Sequence, residues 1–547
     1  MCTLVMNREH VARLGMAARH HVCRNYSWEK RGPTLAELYS RSPKAGEIQR
    51  YPMTTFSLPH RRQLSQILSA AALAVVVLLT GSWVAKAPMK AWLVLASASG
   101  LLFFRVDPVY WMAGAVVMAV ASRIIAASTG AHFLNFVHYP LVIGGLAVSL
   151  IKGRPSALAK AVGAGLMVFL LINFLSWGLN TGELARPIAN WLVLAEPFVL
   201  VYVMLAAPPT ERVSEKLWKL ILTLALVQIP LGVWQWRTKG GSPDFVQGTF
   251  VHSGTGAHVA GSVALLGVMI AICKGSISRD FRTKTFLFAI AIPLFGLSVL
   301  ADAKQAIVCF LPGMFIAILC SRRFNPLALL APLLFTGLIS YVAFNYYAPL
   351  QQVEDRGLMS AGAGEKLKGL SEIASMLSDH PYSWLFGLGP GNTLSRVALL
   401  TPDIDLSDTS LVGLLGLKTS PITLKLVRDT RSSYLSTSSA FSSIGSWFGL
   451  LGDLGCVGVL VYLWMVWLLW SGLSRQRNWQ SASAKGGIVM MGLLGGVYVW
   501  LEEPGFTLVV AMMTGLALAA SAYNKAAAPR ESPGPAFARQ FPMTISR

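Results

Sequence analysis

The chain has 547 residues, of which 54% are hydrophobic and 13% charged. Soluble domains run near a quarter charged, so this composition excludes a disordered chain, a collagen-like fibre and a secreted disulfide scaffold. It also argues against a water-soluble enzyme, because the apolar residues come in blocks of about 20, enough to cross a hydrocarbon core. The formal charge is +21, from 46 Lys and Arg against 25 Asp and Glu. In a soluble protein that excess would point to nucleic acid. Here the cations fall between apolar blocks and form no aromatic-interleaved stripe, so they read as a topology signal, and no nucleic-acid partner is expected.

In chain order, residues 1–62 form a polar, basic cytoplasmic segment with no signal peptide. Apolar blocks then predict spans at 65–84, 91–104, 108–126, 133–151, 157–176, 188–206, 216–236, 258–273, 284–300, 305–321 and 326–345. A long polar stretch, 346–442, separates these from spans at 443–470, 486–501 and 505–523, and a Pro- and Ala-rich tail at 524–547 reads as disordered. The expected fold is all-α: a polytopic bundle of about 14 transmembrane helices with a long extracytoplasmic loop. The domain division is then a bundle over 63–345, a loop over 346–442 and C-terminal helices over 443–523.

Alternate connectors differ in charge. One set carries Arg105, Lys152, Arg154, Arg212, Lys216, Lys274, Arg279, Arg282, Lys284, Arg322, Arg323, Arg475, Arg477 and Lys485. The other carries only Lys86, Lys90, Arg186, Arg237, Lys239 and Lys304. The basic set is expected to face the cytoplasm, with both termini. Residues 346–442 then lie outside a bacterial cytoplasmic (inner) membrane. Within them, Leu367, Leu370, Ile373 and Leu377 recur at helical spacing over 364–381. That pattern predicts an amphipathic helix on the membrane surface or roofing the bundle. GLGPGN at 387–392 is a turn that no helix traverses. The six cysteines, Cys2, Cys23, Cys273, Cys309, Cys320 and Cys456, have no metal-binding or disulfide spacing.

No Walker loop, HExxH, GxSxG or CxxC pair is present. Chemistry is therefore sought among polar residues near the outer face, where charge beside lipid costs several kcal/mol. The connector QGTFVHSGTGAHVAG (247–261) carries His252 and His258. The tight turn ADAKQA (301–306) carries Asp302 and Lys304, which either pair with each other or present the lysine at the bundle mouth. The long loop offers Lys366, Lys368, His380 and Arg396, and the turn LEEPGF (501–506) offers Glu502 and Glu503. Glu196 stands before Pro197 inside a span, either as a site residue or as a hydrogen-bond partner at a kink. Arg123, near the outer end of its span, either snorkels or faces a cavity.

Four elements between about 245 and 465 resemble the O-antigen ligase/polymerase superfamily of membrane glycosyltransferases. They are GTFVHSGTGAHVAG before a span, DAKQAIVCFLPG opening a helix, FGLGPGN in the outer loop and WFGLLGDLGCVGVLVYL after it. Their order carries the resemblance. It implies a GT-C-type helical fold acting on a polyprenyl-diphosphate-linked oligosaccharide, without metal or cofactor, in company with the bilayer and other polysaccharide-assembly proteins. Three positions depart from the family. Lys304 stands where an Arg is usual, which keeps the charge but loses the bidentate fork. Ile444 and Gly445 stand where ligases carry His and Asn, which favours a polymerase of repeat units over a ligase to lipid A core or protein.

On that resemblance, Lys304 and Arg396 are expected to stabilise the leaving diphosphate. Arg123, Arg237, Asp302, Lys366, Lys368 and the glycines Gly387, Gly389 and Gly391 would contribute to substrate binding. Glu196, His252, His380 and Glu502 are candidate bases. A transporter of the same lipid is the rival from another class, but no internal repeat is evident. Separately, residues 15–39 resemble the last helices of a GT-B glycosyltransferase, without its Rossmann-like domains. The segment before Met53 therefore reads as a fusion remnant or an early start.

Overall fold

A computed structural model describes residues 106–180, 182–239, 245–251, 255–320, 358–399, 417–430 and 445–527. The readings that concern residues 1–105, the span at 326–345, His252 and residues 528–547 lie outside the described residues. Among those described there are fifteen α-helices and no strand. They are α1 (Pro108–Thr129), α2 (His138–Lys152), α3 (Ala157–Asn180), α4 (Ala185–Ala206), α5 (Glu211–Thr238), α6 (Gly256–Ile277), α7 (Phe281–Leu300) and α8 (Lys304–Leu319). After a gap come α9 (Leu358–Ser378), α10 (Pro381–Phe386), α11 (Arg396–Leu399), α12 (Pro421–Thr430), α13 (Ser446–Ser474), α14 (Trp479–Val497) and α15 (Pro504–Ala527).

Among the described residues, eight helical segments are long and apolar enough to cross a membrane: α1, Leu134–Lys152, α3, α4, α5, α6, α7 and α13. Lys304–Leu319 and Pro504–Ala520 are shorter apolar helices. The C-terminal helix runs on to Ala527, so the first residues of the expected tail are helical.

Local chemistry sets the ends. Asp107 accepts from Val109 N at 3.0 Å ahead of Pro108. Gly130 closes α1 in the left-handed region at φ 71°. Asp280 accepts from Thr283 N at 2.9 Å to start α7, and Asn478 accepts from Ser481 N at 2.8 Å to start α14. These caps satisfy amide donors that a helix start leaves open. At the centre, α6 packs against α5, α7, α8, α14 and α15 and is almost wholly buried. Small residues allow close crossings: a Cβ on Gly313 of α8 would lie 2.6 Å from the Gly486 carbonyl of α14.

Residues 358–399 dock on α13. Helix α9 ends at Ser378, three residues short of its predicted end. Its Ile373 and Leu377 are fully buried with Leu388, Leu394 and Leu426, against Phe448 and Leu451 of α13. The helix therefore covers the start of α13. Leu367, counted on the apolar face in the sequence, is instead exposed. The turn 387–392 meets α13 where α13 itself departs from helical geometry, at Gly455 with φ 66°. Two glycines make this approach possible. A Cβ on Gly387 (φ 77°) would lie 2.3 Å from the Asp453 carbonyl carbon, and one on Gly455 would lie 2.4 Å from the Leu385 carbonyl. Both clashes are with backbone, which cannot step aside.

Gly455→Ala and Gly387→Ala should therefore each destabilise the protein by about 1–3 kcal/mol. Gly364→Ala, in open space on α9, should be neutral or stabilising, by up to about 1 kcal/mol. Thermal unfolding of the detergent-solubilised variants reads the difference; equal midpoints for Gly364→Ala and Gly455→Ala would contradict this packing.

Candidate functional site

The site is a buried charge cluster where the end of α1, the start of α11 and the α14–α15 turn meet. Trp500–Glu502 form a 3-10 turn, and Pro504 opens α15. Glu503 thus sits just ahead of a helix N-terminus, which favours a carboxylate. Its backbone carbonyl is taken by Thr507 N at 2.9 Å and by Thr507 Oγ1 at 3.0 Å. The side chain is shared by two arginines. Arg123 Nη2 donates to both Glu503 oxygens, at 2.9 and 3.1 Å, and Arg396 Nη1 donates to Oε2 at 2.7 Å. Arg396 Nη1 also donates to the Glu502 carbonyl at 2.8 Å, and Arg396 N donates to Glu502 Oε2 at 2.6 Å. The guanidinium of Arg123 lies over the Phe250 ring, 5.8 Å from its centroid.

The two neighbouring glutamates are driven apart electrostatically. Burial penalises the charge on both. For Glu503, Arg123 and Arg396 together outweigh burial and hold the pKa near about 2. For Glu502, burial dominates, Asp453 adds like charge, and the hydrogen bond from Arg396 N recovers only part; its pKa is pushed up to about 8. Glu502 Oε1 and Arg123 Nη1 are buried polar atoms without a hydrogen-bond partner among the described residues. The cluster therefore retains one acceptor and one donor beyond its internal bonds.

A second buried pair lies on neighbouring helices. His138 Nδ1 meets Glu196 Oε1 at 2.6 Å, both side chains being 2% exposed. The His138 ring contacts Tyr139 at 4.0 Å between centroids. Glu196 is thus held in a partnership that the sequence did not disclose. Nothing in an apolar span marks His138 as its partner across 58 positions; the one signal is a histidine inside an otherwise apolar block.

A third group anchors the turn 387–392 to α13. Asp453 accepts from Gly391 N at 2.7 Å, Asn392 N at 3.2 Å, Thr393 N at 2.9 Å and Thr393 Oγ1 at 2.6 Å. Consecutive amides make a nest for its carboxylate. Arg186 Nη1 donates to Gly391 O at 2.9 Å and Asn392 Oδ1 at 3.1 Å, and Nη2 reaches Lys418 O. Gly387, Gly389 and Gly391, expected at the substrate, take part in this internal packing: the first meets α13, the second Asn392, the third Val397 and Asp453. The sequence placed Asp453 in a motif and Arg186 in a connector, but gave neither a partner.

The remaining candidates scatter. Lys304 pairs with Asp302 at 2.9 Å, on a turn where Asp302 adopts φ 50°. His380 is exposed and stacks on Tyr382 at 5.4 Å. Arg237 and Lys368 are exposed. Lys366 is half-buried, its ammonium 6.0 Å from the centre of the Tyr498 ring, and burial lowers its pKa to about 7. Of the predicted residues, the structure brings together Arg123, Arg396 and Glu502, and adds Glu503 as the group that joins them. Among the described residues, no group of three or more His, Cys, Asp or Glu side chains is arranged to hold a metal ion. No protein-family model matches the chain, and no curated protein matches it.

The split between the glutamates sets a signed expectation. Glu502, with its folded pKa raised, contributes stability that is complete below about pH 4.5 and is lost as pH rises through about 8. Glu503, with its folded pKa lowered, contributes stability that is present above about pH 4.5 and is lost as pH falls through about 2. Glu502→Gln should therefore fold normally and flatten the decline of the thermal midpoint between pH 5 and 8. Glu503→Gln should cost about 3–5 kcal/mol, because it leaves two buried arginines without their carboxylate. The reverse ranking of the two variants would refute this assignment of charge.

Proposed function

We propose that this protein is an integral membrane glycosyltransferase that joins polyprenyl-diphosphate-linked oligosaccharide repeat units at the outer face of a bacterial cytoplasmic membrane. The product would be an exopolysaccharide, a capsule or an O-antigen chain. The observation that carries the reading is the convergence of Arg123 and Arg396 on Glu503, beside a carboxyl group with a raised pKa, at one end of the bundle. The order of sequence elements over 245–465 agrees with it, and the basic connectors assign that end to the outside.

In this reaction an acceptor hydroxyl attacks the anomeric carbon of the donor sugar. The bond from that carbon to the diphosphate oxygen breaks, and the electron pair leaves with the diphosphate. Two guanidinium groups already fixed by Glu503 would meet the developing charge without reorganising, which is where such groups lower a barrier most. Glu502 would take the hydroxyl proton. A carboxyl group whose pKa lies near 8 is a stronger base when ionised than an ordinary glutamate, and is partly ionised at neutral pH. The energy comes from the diphosphate linkage, so the reaction needs no nucleotide. Lys304 is secondary here, because its charge is already answered by Asp302.

Arg396→Ala in cells is expected to lower polymer synthesis by about 100-fold or more while the protein stays in the membrane. Single repeats on the carrier lipid should accumulate. Long chains on the carrier lipid would instead identify a ligase, and undiminished polymer would remove Arg396 from the chemistry. In membranes, the rate should rise between pH 6.5 and 8.5 as Glu502 ionises, and Glu502→Gln should abolish that rise.

A further inference from the structure

The opposite end of the bundle holds a cationic group that the proposed chemistry does not use. Helices α13 and α14 form a hairpin across the turn 475–478. From residue 454 to 501 the sequence contains no Asp or Glu, yet it carries Arg475, Arg477 and Lys485. The two arginines are exposed on the turn. Lys485 lies nearly two helical turns inside α14 and is 5% exposed. Among the described residues no carboxylate, carbonyl or hydroxyl takes its ammonium; its contact is the Trp470 ring of α13, 5.6 Å to the centroid. A cation over an aromatic face recovers only part of the cost of burying a lysine.

A second buried donor lies on the turn itself. Gln476 is 8% exposed, and its Nε2 is buried without a hydrogen-bond partner. Its backbone N donates to Leu473 O at 3.0 Å, and the same carbonyl accepts Ser481 Oγ at 2.7 Å. Lys485 follows Ser481 by one helical turn, on the same face of α14. The base of the hairpin thus collects donors in excess of acceptors. It also adjoins an apolar surface: Leu460, Leu463, Trp464 and Trp467 form an exposed stripe of α13, which leads along the helix to Trp470.

We propose that the base of the α13–α14 hairpin binds the phosphate of an anionic phospholipid. Lys485 and Gln476 would receive the phosphate, Arg475 and Arg477 would face the headgroup rim, and the acyl chains would lie along the exposed stripe of α13. Free phosphate offers the same anion, but only a lipid would also cover that stripe. The site is independent of glycosyl transfer, since nothing in it touches the charge cluster at the other end.

Native mass spectrometry of the full-length protein, delipidated in neutral detergent, tests this. Phosphatidylglycerol should bind at least about tenfold more tightly than phosphatidylcholine, and Lys485→Met should erase the difference. Lys485→Arg should keep it, and excess inorganic phosphate should leave the lipid in place. Equal binding of the two lipids to the native protein would overturn the proposal, as would an unchanged preference in Lys485→Met. Displacement by inorganic phosphate would overturn the assignment to a lipid. If Lys485→Met does not fold, the lipid comparison on the native protein and Lys485→Arg still decides.

Discussion

A single carboxylate organises the candidate site. Glu503 is shared by Arg123 of α1 and Arg396 of α11. Three segments far apart in sequence meet there, and each brings charge that could not be buried alone. Burial raises the energy of every ion in the cluster, so the geometry has to be mutually satisfying. Once Glu503 is committed to two cations, its neighbour Glu502 has little remaining stabilisation for its own charge. The contrast between two adjacent glutamates thus follows from one allocation of partners, and it supplies what acid–base chemistry requires: a fixed anion that holds cations in place, and beside it a group able to gain or lose a proton near neutrality.

The turn 387–392 delivers Arg396 to that position through packing of a different kind. Gly387 and Gly455 let the backbones of the loop and α13 touch, and Asp453 gathers three consecutive loop amides. Arg186 closes the other side of the turn. These contacts are backbone-directed and rigid, whereas the cluster above them is made of charged side chains. The glycine-rich turn therefore holds the backbone that leads to Arg396 against α13. The same division holds at the other end of the molecule, where the apolar α13–α14 hairpin carries its unbalanced cations on a rim.

Much of the helical pattern was legible in the sequence, because a long apolar block is a local signal; the caps Asp107, Asp280 and Asn478 emerged only with the structure. Helix α9 was legible too, since Ile373 and Leu377 keep helical spacing. Its Leu367 was misplaced because which side of a helix end is covered depends on neighbours, not on periodicity. The site was only partly legible. Arg123, Arg396 and Glu502 stand out as charges next to apolar runs, but their convergence spans 106 to 380 positions and leaves no trace in spacing. The same long separation hid the pairing of His138 with Glu196. Lys304 drew attention for its tight turn, and the structure gives that turn an internal ion pair.

The most direct test uses the purified protein and a synthetic oligosaccharide on a short polyprenyl diphosphate, with carrier diphosphate release followed by phosphorus NMR and chain length followed by mass spectrometry. Release coupled one-to-one to glycan elongation in the native protein, with both lost together in Arg123→Ala and Arg396→Ala variants that remain folded, is the predicted result. Elongation that persists in either variant, or a native protein that neither releases the carrier nor extends the glycan, would contradict it.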